Sequence, residues 1–534
     1  MADSPATTAS PHPVPWTPKF NPWLIAIVVA MAAFMEVLDT SIANVALPHM
    51  AGNLGASNEE STWVLTSYLV SNAIVLPISG WLAGLFGRKR FFMLCITLFT
   101  ISSLLCGIAP TLGVLILFRV MQGAGGGGLQ PMAQAILADS FPPQKRGMAF
   151  ALYGITAVMA PTIGPTLGGW ITDNYSWLWI FYINLPVGIL AIFLVYRMVE
   201  DPPYLRLLRG AGVRLDYLGI ALLALGVGAL QVVLDKGQED DWFGSRFIVT
   251  LGVVAVVCLV SLVIWEWFQS APIVDVRLFR SFNFAAANLM MFVLGVLLFS
   301  SLVMMPQFLQ TLMGYTAQTA GAVLSFSGVA LLFEMPIVGQ LTTRFPAKYI
   351  IAFGWLALAG GMYFSTQWLD LEISFRSAAW LRVAQAVGMG FLFVPITLAG
   401  YIGIPPQKSN SVAGIINFMR NIGSSVGTSM VTTLLARRAQ FHQSVLSYHT
   451  TRYDPAFRNQ VAGLAQQLAH SGVTPPDARV QALGRVYQGV QAQAATLSYL
   501  DTFMVLAVGA GIMFVLAFIV RRNDPAAGGE VAVG

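Results

Sequence analysis

Apolar runs of about 17 to 28 residues follow one another along almost the whole chain, each closed by a short cluster of charged or turn-forming residues. A helix rises about 1.5 Å per residue, so each run can cross a hydrocarbon core of about 30 Å. The runs do not alternate and are too long for barrel strands, which leaves helices. Fourteen are predicted, at about 23–47, 61–86, 91–109, 111–138, 148–171, 179–197, 216–234, 247–267, 284–309, 317–341, 349–365, 378–402, 412–435 and 500–520. Of the 534 residues 56% are hydrophobic and 10% charged, and the mean hydropathy is +0.70. These values lie outside the range of soluble domains and predict an all-α polytopic membrane protein.

The distribution of Lys and Arg sets an orientation. With the N-terminus in the cytoplasm, inside segments hold 17 of the 29 basic residues, including Arg88, Lys89, Arg90, Lys145, Arg146, Arg206, Arg209, Arg214, Arg521 and Arg522. Short outside loops hold Lys236, Arg246 and Arg376 alone. By the positive-inside rule both termini are expected in the cytoplasm, and the net charge of +5 expresses this bias rather than a nucleic-acid surface. Residues 1–22 carry six prolines and no apolar run, and are expected to be a disordered tail without a cleavable signal. Cys95, Cys106 and Cys258 all fall inside apolar runs and are assigned to packing.

The chain repeats itself. "FRVMQGAG" (118–125) matches "LRVAQAVG" (381–388), pairing Arg119 with Arg382 and Gln122 with Gln385 at an offset of 263, which also carries Ala160 onto Gly423 and Gly164 onto Gly427. An offset of 259 takes "GWLAGLFGRK" (80–89) onto "GQLTTRFPAK" (339–348). The expected organisation is a six-helix half (23–197), a cytoplasmic linker (198–215), two inserted helices (216–267), a second six-helix half (284–520) containing a long periplasmic loop (436–499), and a tail (521–534). Paired repeats of this kind build alternating-access transporters, with the substrate site near the midplane between halves.

Charged residues inside the runs are few. Glu36 and Asp39 sit three apart in "FMEVLDTSIANVALP", and insertion scales put an ionised acid at mid-helix at roughly 2.5–3.5 kcal/mol. Two acids on one helix face, in a cavity of low dielectric, can load a proton near neutral pH. The alternative is a structural ion pair with Arg119 or Arg420. Glu334, in "LLFEMPIVG", is a second proton site, the counter-ion of a cationic substrate, or a partner in an interhelical hydrogen bond. Arg382, Gln385 and Arg420 join Glu334 as candidates to line the cavity. Ala160, Gly164 and Gly168 recur every four residues beside Pro161 and Pro165, a small-residue face for close helix approach. "GAGGGG" (123–128) satisfies G-x-G-x-x-G, but no strand precedes it, and no G-x-x-x-x-G-K-[ST] occurs, so neither a nucleotide nor any other cofactor or metal is expected. An ion gradient is the expected energy source.

"LDTSIANVALP", "GWLAGLFGRKR", "RVMQG", "GPTLGG" and "WIFYINLPVG", in this order and with fourteen spans, resemble the signatures of the major facilitator superfamily, in its drug:proton antiporter branch. The likeness is greatest to the EmrB type, inner-membrane pumps of tripartite exporters. The resemblance implies a major facilitator fold and proton-coupled export of amphipathic toxic compounds. It further implies a periplasmic adaptor with an outer-membrane channel, and residence in the bacterial inner membrane. Asp39 falls on the family's first-span motif, whereas Glu36 lies outside it. Arg119 with Gln122 is read as a proton-relay and orienting pair. Gly80, Gly84, Gly87 and Arg88 form the loop motif, and Gly164, Pro165, Gly168 and Gly169 the antiporter motif that seals the path during switching. Two positions depart from the pattern. Gly84 stands where an acid is common, leaving an inner charge gate without that acid, and Leu178 stands where Arg is frequent. An uptake symporter, or a lipid flippase or passive channel, on the same fold are the rival functions.

The outside segment 436–499 is too polar to span. Val480, Leu483, Val486, Val490, Ala494 and Leu497 make one apolar stripe, and Val461, Leu464 and Leu468 a shorter one, with "GVTPPD" between them. A helical hairpin on the periplasmic face is predicted, serving as a platform for the adaptor or covering the outer mouth.

Overall fold

A computed structural model describes residues 18–203, 216–448, 450–451 and 453–519. The expectations for most of the N-terminal tail, for the linker with Arg206, Arg209 and Arg214, and for the C-terminal tail with Arg521 and Arg522 lie outside the described residues. The first half comprises α1 (Pro22–Leu54), α2 (Asn58–Ser61), α3 (Trp63–Phe86), α4 (Arg88–Gly107), α5 (Leu112–Gly126), α6 (Leu129–Ser140), α7 (Arg146–Asn174), α8 (Trp179–Tyr182) and α9 (Asn184–Met198). Two further helices follow, α10 (Tyr217–Lys236) and α11 (Arg246–Phe268). The second half comprises α12 (Phe282–Thr311), α13 (Ala317–Arg344), α14 (Ala347–Trp368), α15 (Phe375–Tyr401), α16 (Ser409–Ser447), α17 (Pro455–His470) and α18 (Pro475–Ala517).

Thirteen segments among the described residues are long and apolar enough to span, with α5 and α6 forming one of them and α8 and α9 another. The predicted span that is not among them, 412–435, lies within α16, whose composition is more polar because its side chains serve its neighbours. Asn417 donates to Gln134 on α6 at 2.8 Å, and Ser425 pairs with Gln231 on α10. Lipid would leave such groups unsatisfied, so α16 lies against protein along this face.

The repeat is visible in the packing. In the first half Gly164 and Gly168 of α7 face Ser41 and Ile42 of α1; in the second, Gly427 and Gly423 of α16 face Val296 and Phe292 of α12. The small-residue face of α7 therefore closes an interface within its own half. Pro165 removes the amide that would bond the Pro161 carbonyl, and Ser41 Oγ donates to that carbonyl at 3.2 Å. The halves meet along two related seams. Across one, Gly321, Gly328 and Gly339 of α13 approach Thr166, Thr162 and Met148 of α7. Across the other, a Cβ on Gly80 of α3 would stand 2.8 Å from the Ser411 backbone of α16. The inserted α10 packs on both α3 and α16, and α11 packs on α10 with most of its surface outward.

The glycine run breaks the fourth span between α5 and α6. A Cβ at Gly125 would meet the Phe99 backbone at 2.7 Å, and one at Gly127 the Asn72 carbonyl at 2.7 Å. The run exists so that α3 and α4 can close on the break, which accounts for its composition without a phosphate.

Between α16 and the last span, the predicted hairpin is α17 against the start of α18, with Val461 and Leu468 packed on Ala478, Ala482 and Val486. The predicted stripe is displaced. Val480 and Leu483 are 70% and 42% exposed, because alanines at a four-residue spacing admit α17 more closely than the larger side chains would. The ends of the 436–499 segment are continuous with α16 and α18 rather than loop.

Candidate transport site

Asn21 caps α1 by accepting from the Trp23 amide, and Pro22 fits the first turn. From that start the helix carries Glu36 and Asp39 to the interior of the first half, one turn apart and 4% and 3% exposed. Asp39 is saturated with donors. It accepts from Arg119 Nη1 at 2.6 Å, Gln122 Nε2 at 3.0 Å and Asn184 Nδ2 at 2.7 Å. Arg119 and Gln122 stand one turn apart on α5, and Arg119 also donates to Gln122 Oε1 at 2.7 Å and to the Val64 carbonyl at 3.1 Å. The guanidinium lies 4.3 Å from the Tyr68 ring centroid. The ion pair and the orienting pair proposed for Arg119 are thus one cluster, with Gln122 bonded to both charges.

Glu36 is held differently. Oε1 accepts from the Tyr68 hydroxyl and from Asn72 Nδ2, each at 3.1 Å, and Oε2 accepts from Gln130 Nε2 at 2.5 Å. All three donors are neutral. Arg420, an ion-pair partner suggested by sequence, stops one side chain short and donates to Gln130 Oε1. Glu36 can therefore take or lose a proton without breaking an ion pair, which Asp39 cannot.

The second half repeats the pair without the acid. Arg382 donates to Gln385 Oε1 and to Ser301 Oγ, both at 2.9 Å, and Gln385 donates to Ser365 at 2.8 Å. Ser301 on α12 accepts from Arg382 as Asp39 on α1 accepts from Arg119. Both side chains are buried within their own half, at 1% and 0% exposure, so they line no open cavity. Glu334 is apart from both clusters, on α13 against Gly390 of α15. It is 8% exposed, and among the described residues no side chain bonds its carboxylate, which has only the Phe391 backbone amide beside it. Burying a carboxylate with no charged partner is costly, which keeps Glu334 among the candidate site residues.

At the end of the bundle carrying the basic loop, Gly87 turns the chain with φ +87° and Arg88 folds inward to 2% exposure. Arg88 pairs with Asp139 at the end of α6, donates to the Ala135 carbonyl at 3.1 Å, and reaches Ser409 on α16 at 3.3 Å. Gly84 and Gly169 face open space. The inward-folded Arg88 thus has its counter-charge in Asp139, which sequence reading left out. Tyr68, Asn72, Gln130 and Asn184 were likewise missed; each is a polar residue in an apolar run.

A profile of the Major Facilitator Superfamily matches residues 29–428. The chain belongs to that superfamily. Its fold resembles the solved structure of the proton:xylose symporter XylE bound to 6-bromo-6-deoxy-D-glucose, with a TM-score of 0.60 at 13% identity over 96% of this chain and 97% of that one. It is 39% identical over 463 residues to the multidrug export protein EmrB of Haemophilus influenzae, covering 84% of this chain and 90% of the relative. It is 38% identical over 453 residues to the fatty acid resistance protein FarB of Neisseria gonorrhoeae, covering 84% and 88%. Within the superfamily the chain is EmrB-like, a multi-pass membrane transporter, as its motifs implied.

Proposed function

We propose that the protein exports amphipathic toxic compounds in exchange for protons by alternating access between its two halves. The observation that carries this reading is Glu36, a buried carboxylate bonded to three neutral donors beside the Asp39–Arg119 pair. One acid fixed as a counter-ion and one free to titrate is what proton loading in an apolar bundle requires. Export of drugs is supported by the similarity to the multidrug export protein EmrB, and an amphipathic substrate by that to the fatty acid resistance protein FarB. Glu334 supplies the substrate side with a carboxylate in the other half that no side chain bonds, suited to a cationic headgroup. The proton gradient is the energy source, without a cofactor. A bacterial inner-membrane location is what the resemblance to the EmrB type implies, and the basic loops support both termini in the cytoplasm. A periplasmic adaptor and an outer-membrane channel complete the exporter. The test is purified protein in proteoliposomes loaded with ethidium under an imposed pH gradient. Uphill ethidium movement opposite to the proton gradient, abolished by an uncoupler, is expected. Movement in the same direction as protons would instead mark a symporter, and dissipative movement alone a channel.

A further inference from the structure

Glu36 belongs to the first half and Arg420 to the second, and among the described residues Gln130 is the only side chain hydrogen-bonded to both. Its Nε2 donates to Glu36 Oε2, while its Oε1 accepts from Arg420 and, at 3.1 Å, from the Tyr153 hydroxyl. A primary amide has one donating and one accepting end, so an ionised Glu36 and a cationic Arg420 dictate its orientation between them. A Glu36 protonated on Oε2, the oxygen that faces Gln130, offers an O–H donor toward the same amide. Accepting that proton requires the Gln130 carbonyl, and turning it round sets the amide NH2 against the guanidinium, donor facing donor. The charge of one carboxylate is thereby converted into attraction or repulsion across the boundary between halves.

Arg420 also acts on Glu36 directly through its charge and bonds the Tyr153 hydroxyl, but Gln130 is the side chain hydrogen-bonded to both. The other titratable or charged groups around Glu36 are Asp39 on its own helix, Tyr68 on α3, Arg119 on α5 and Tyr153 on α7, all in the first half. Farther along α6, polar contacts with the antiparallel α16 continue through Gln134 with Asn417 at 2.8 Å and Asp139 with Ser409 at 3.5 Å. Asn417 Oδ1 is without a partner among the described residues, so that rung makes one bond where an amide pair can make two. The ladder runs from Glu36 to the Arg88–Asp139 pair.

We propose that Gln130 is the positioning residue that transmits the protonation state of Glu36 to Arg420, and so to the second half. This rests on the reading of Glu36 as the proton site. The test uses full-length protein in nanodiscs, with Cys95, Cys106 and Cys258 replaced and spin labels at Arg90→Cys and Gln407→Cys, exposed positions in opposite halves. The distance between labels is measured in acidic and alkaline buffer. The parent protein is expected to change distance with pH. Gln130→Leu and Arg420→Met are each expected to lose that change, and the double variant to lose no more than either. A parent distance that ignores pH, a Gln130→Leu response equal to the parent, or additive losses in the double variant would overturn the assignment. Gradient-driven ethidium transport by the parent tests the proton-exchange reading separately, so failure of one is distinguishable from failure of the other.

Discussion

Arg119 donates to Asp39 at 2.6 Å, and both side chains are sealed from the surface, at 0% and 1% exposure. Two charges removed from water are tolerated because each neutralises the other and Gln122 and Asn184 occupy the remaining carboxylate lone pairs. Asp39→Asn keeps the shape and loses the charge, leaving a buried cation. Breaking a buried pair from one side costs on the order of 3–5 kcal/mol, so the variant is expected to lose transport and also thermal stability. Asp39→Asn with Arg119→Gln restores neutrality and should recover most of the stability without recovering transport. A single variant with wild-type gradient-driven efflux would remove Asp39 from the mechanism.

Glu334→Gln replaces a carboxylate that no side chain bonds with a neutral group of the same size. A desolvated carboxylate favours a cation over a neutral compound, so cells carrying the variant should lose resistance to cationic compounds at least about tenfold more than to neutral ones, a difference of about 1.4 kcal/mol. Dose–response curves for a matched pair of cationic and neutral amphiphiles read this directly. Equal losses would assign Glu334 to coupling or packing.

Asp139→Asn should loosen the seam at the basic end. Arg88 would keep its bond to Ala135 but lose its counter-charge, and with it the arrangement that holds it near Ser409. Ser411→Cys, half-buried where α16 meets α3, should then be alkylated several-fold faster by a membrane-impermeant maleimide in vesicles exposing that end. Unchanged alkylation would show that the seam closes without the pair.

How far this site was legible depends on how much contrast each residue makes with its neighbours. Glu36, Asp39 and Glu334 stand out because a charge in an apolar run is costly, and Arg119 because the repeat doubles it as Arg382. Asp139 does not stand out: at the foot of "ILADSFPPQKR" it reads as an ordinary loop acid, and only the inward fold of Arg88 gives it a role. Gln130 is neutral and follows a glycine run, so composition marks it as packing. Its position between Glu36 and Arg420 depends on how α6 meets α16, a tertiary relation that no periodicity encodes. The hairpin shows the opposite limit. Its helices were legible from their stripes, but alanine against larger apolar residues decided which face of α18 turned inward.

That choice of face leaves Val480, Leu483 and Tyr487 of α18 exposed, at 70%, 42% and 55%, and Tyr448 and Tyr453 exposed at 84% and 77% near the end of α16. At the base, Asp501 of α18 pairs with Arg438 and His442 of α16, so the hairpin rises from a braced stem. Exposed apolar side chains on a structured extension call for a partner, and the proposed periplasmic adaptor meets that need. Replacing residues 448–486 with a short Gly/Ser linker removes the hairpin and leaves the stem pairs in place. Ethidium transport in proteoliposomes is expected to persist within about twofold, since the interior clusters are untouched and distant sites act independently. Adaptor co-purification and cellular resistance should both be lost. Co-purification at the parent level would show that the adaptor docks elsewhere on the outer face, and loss of proteoliposome transport would make the hairpin part of the transport cycle itself.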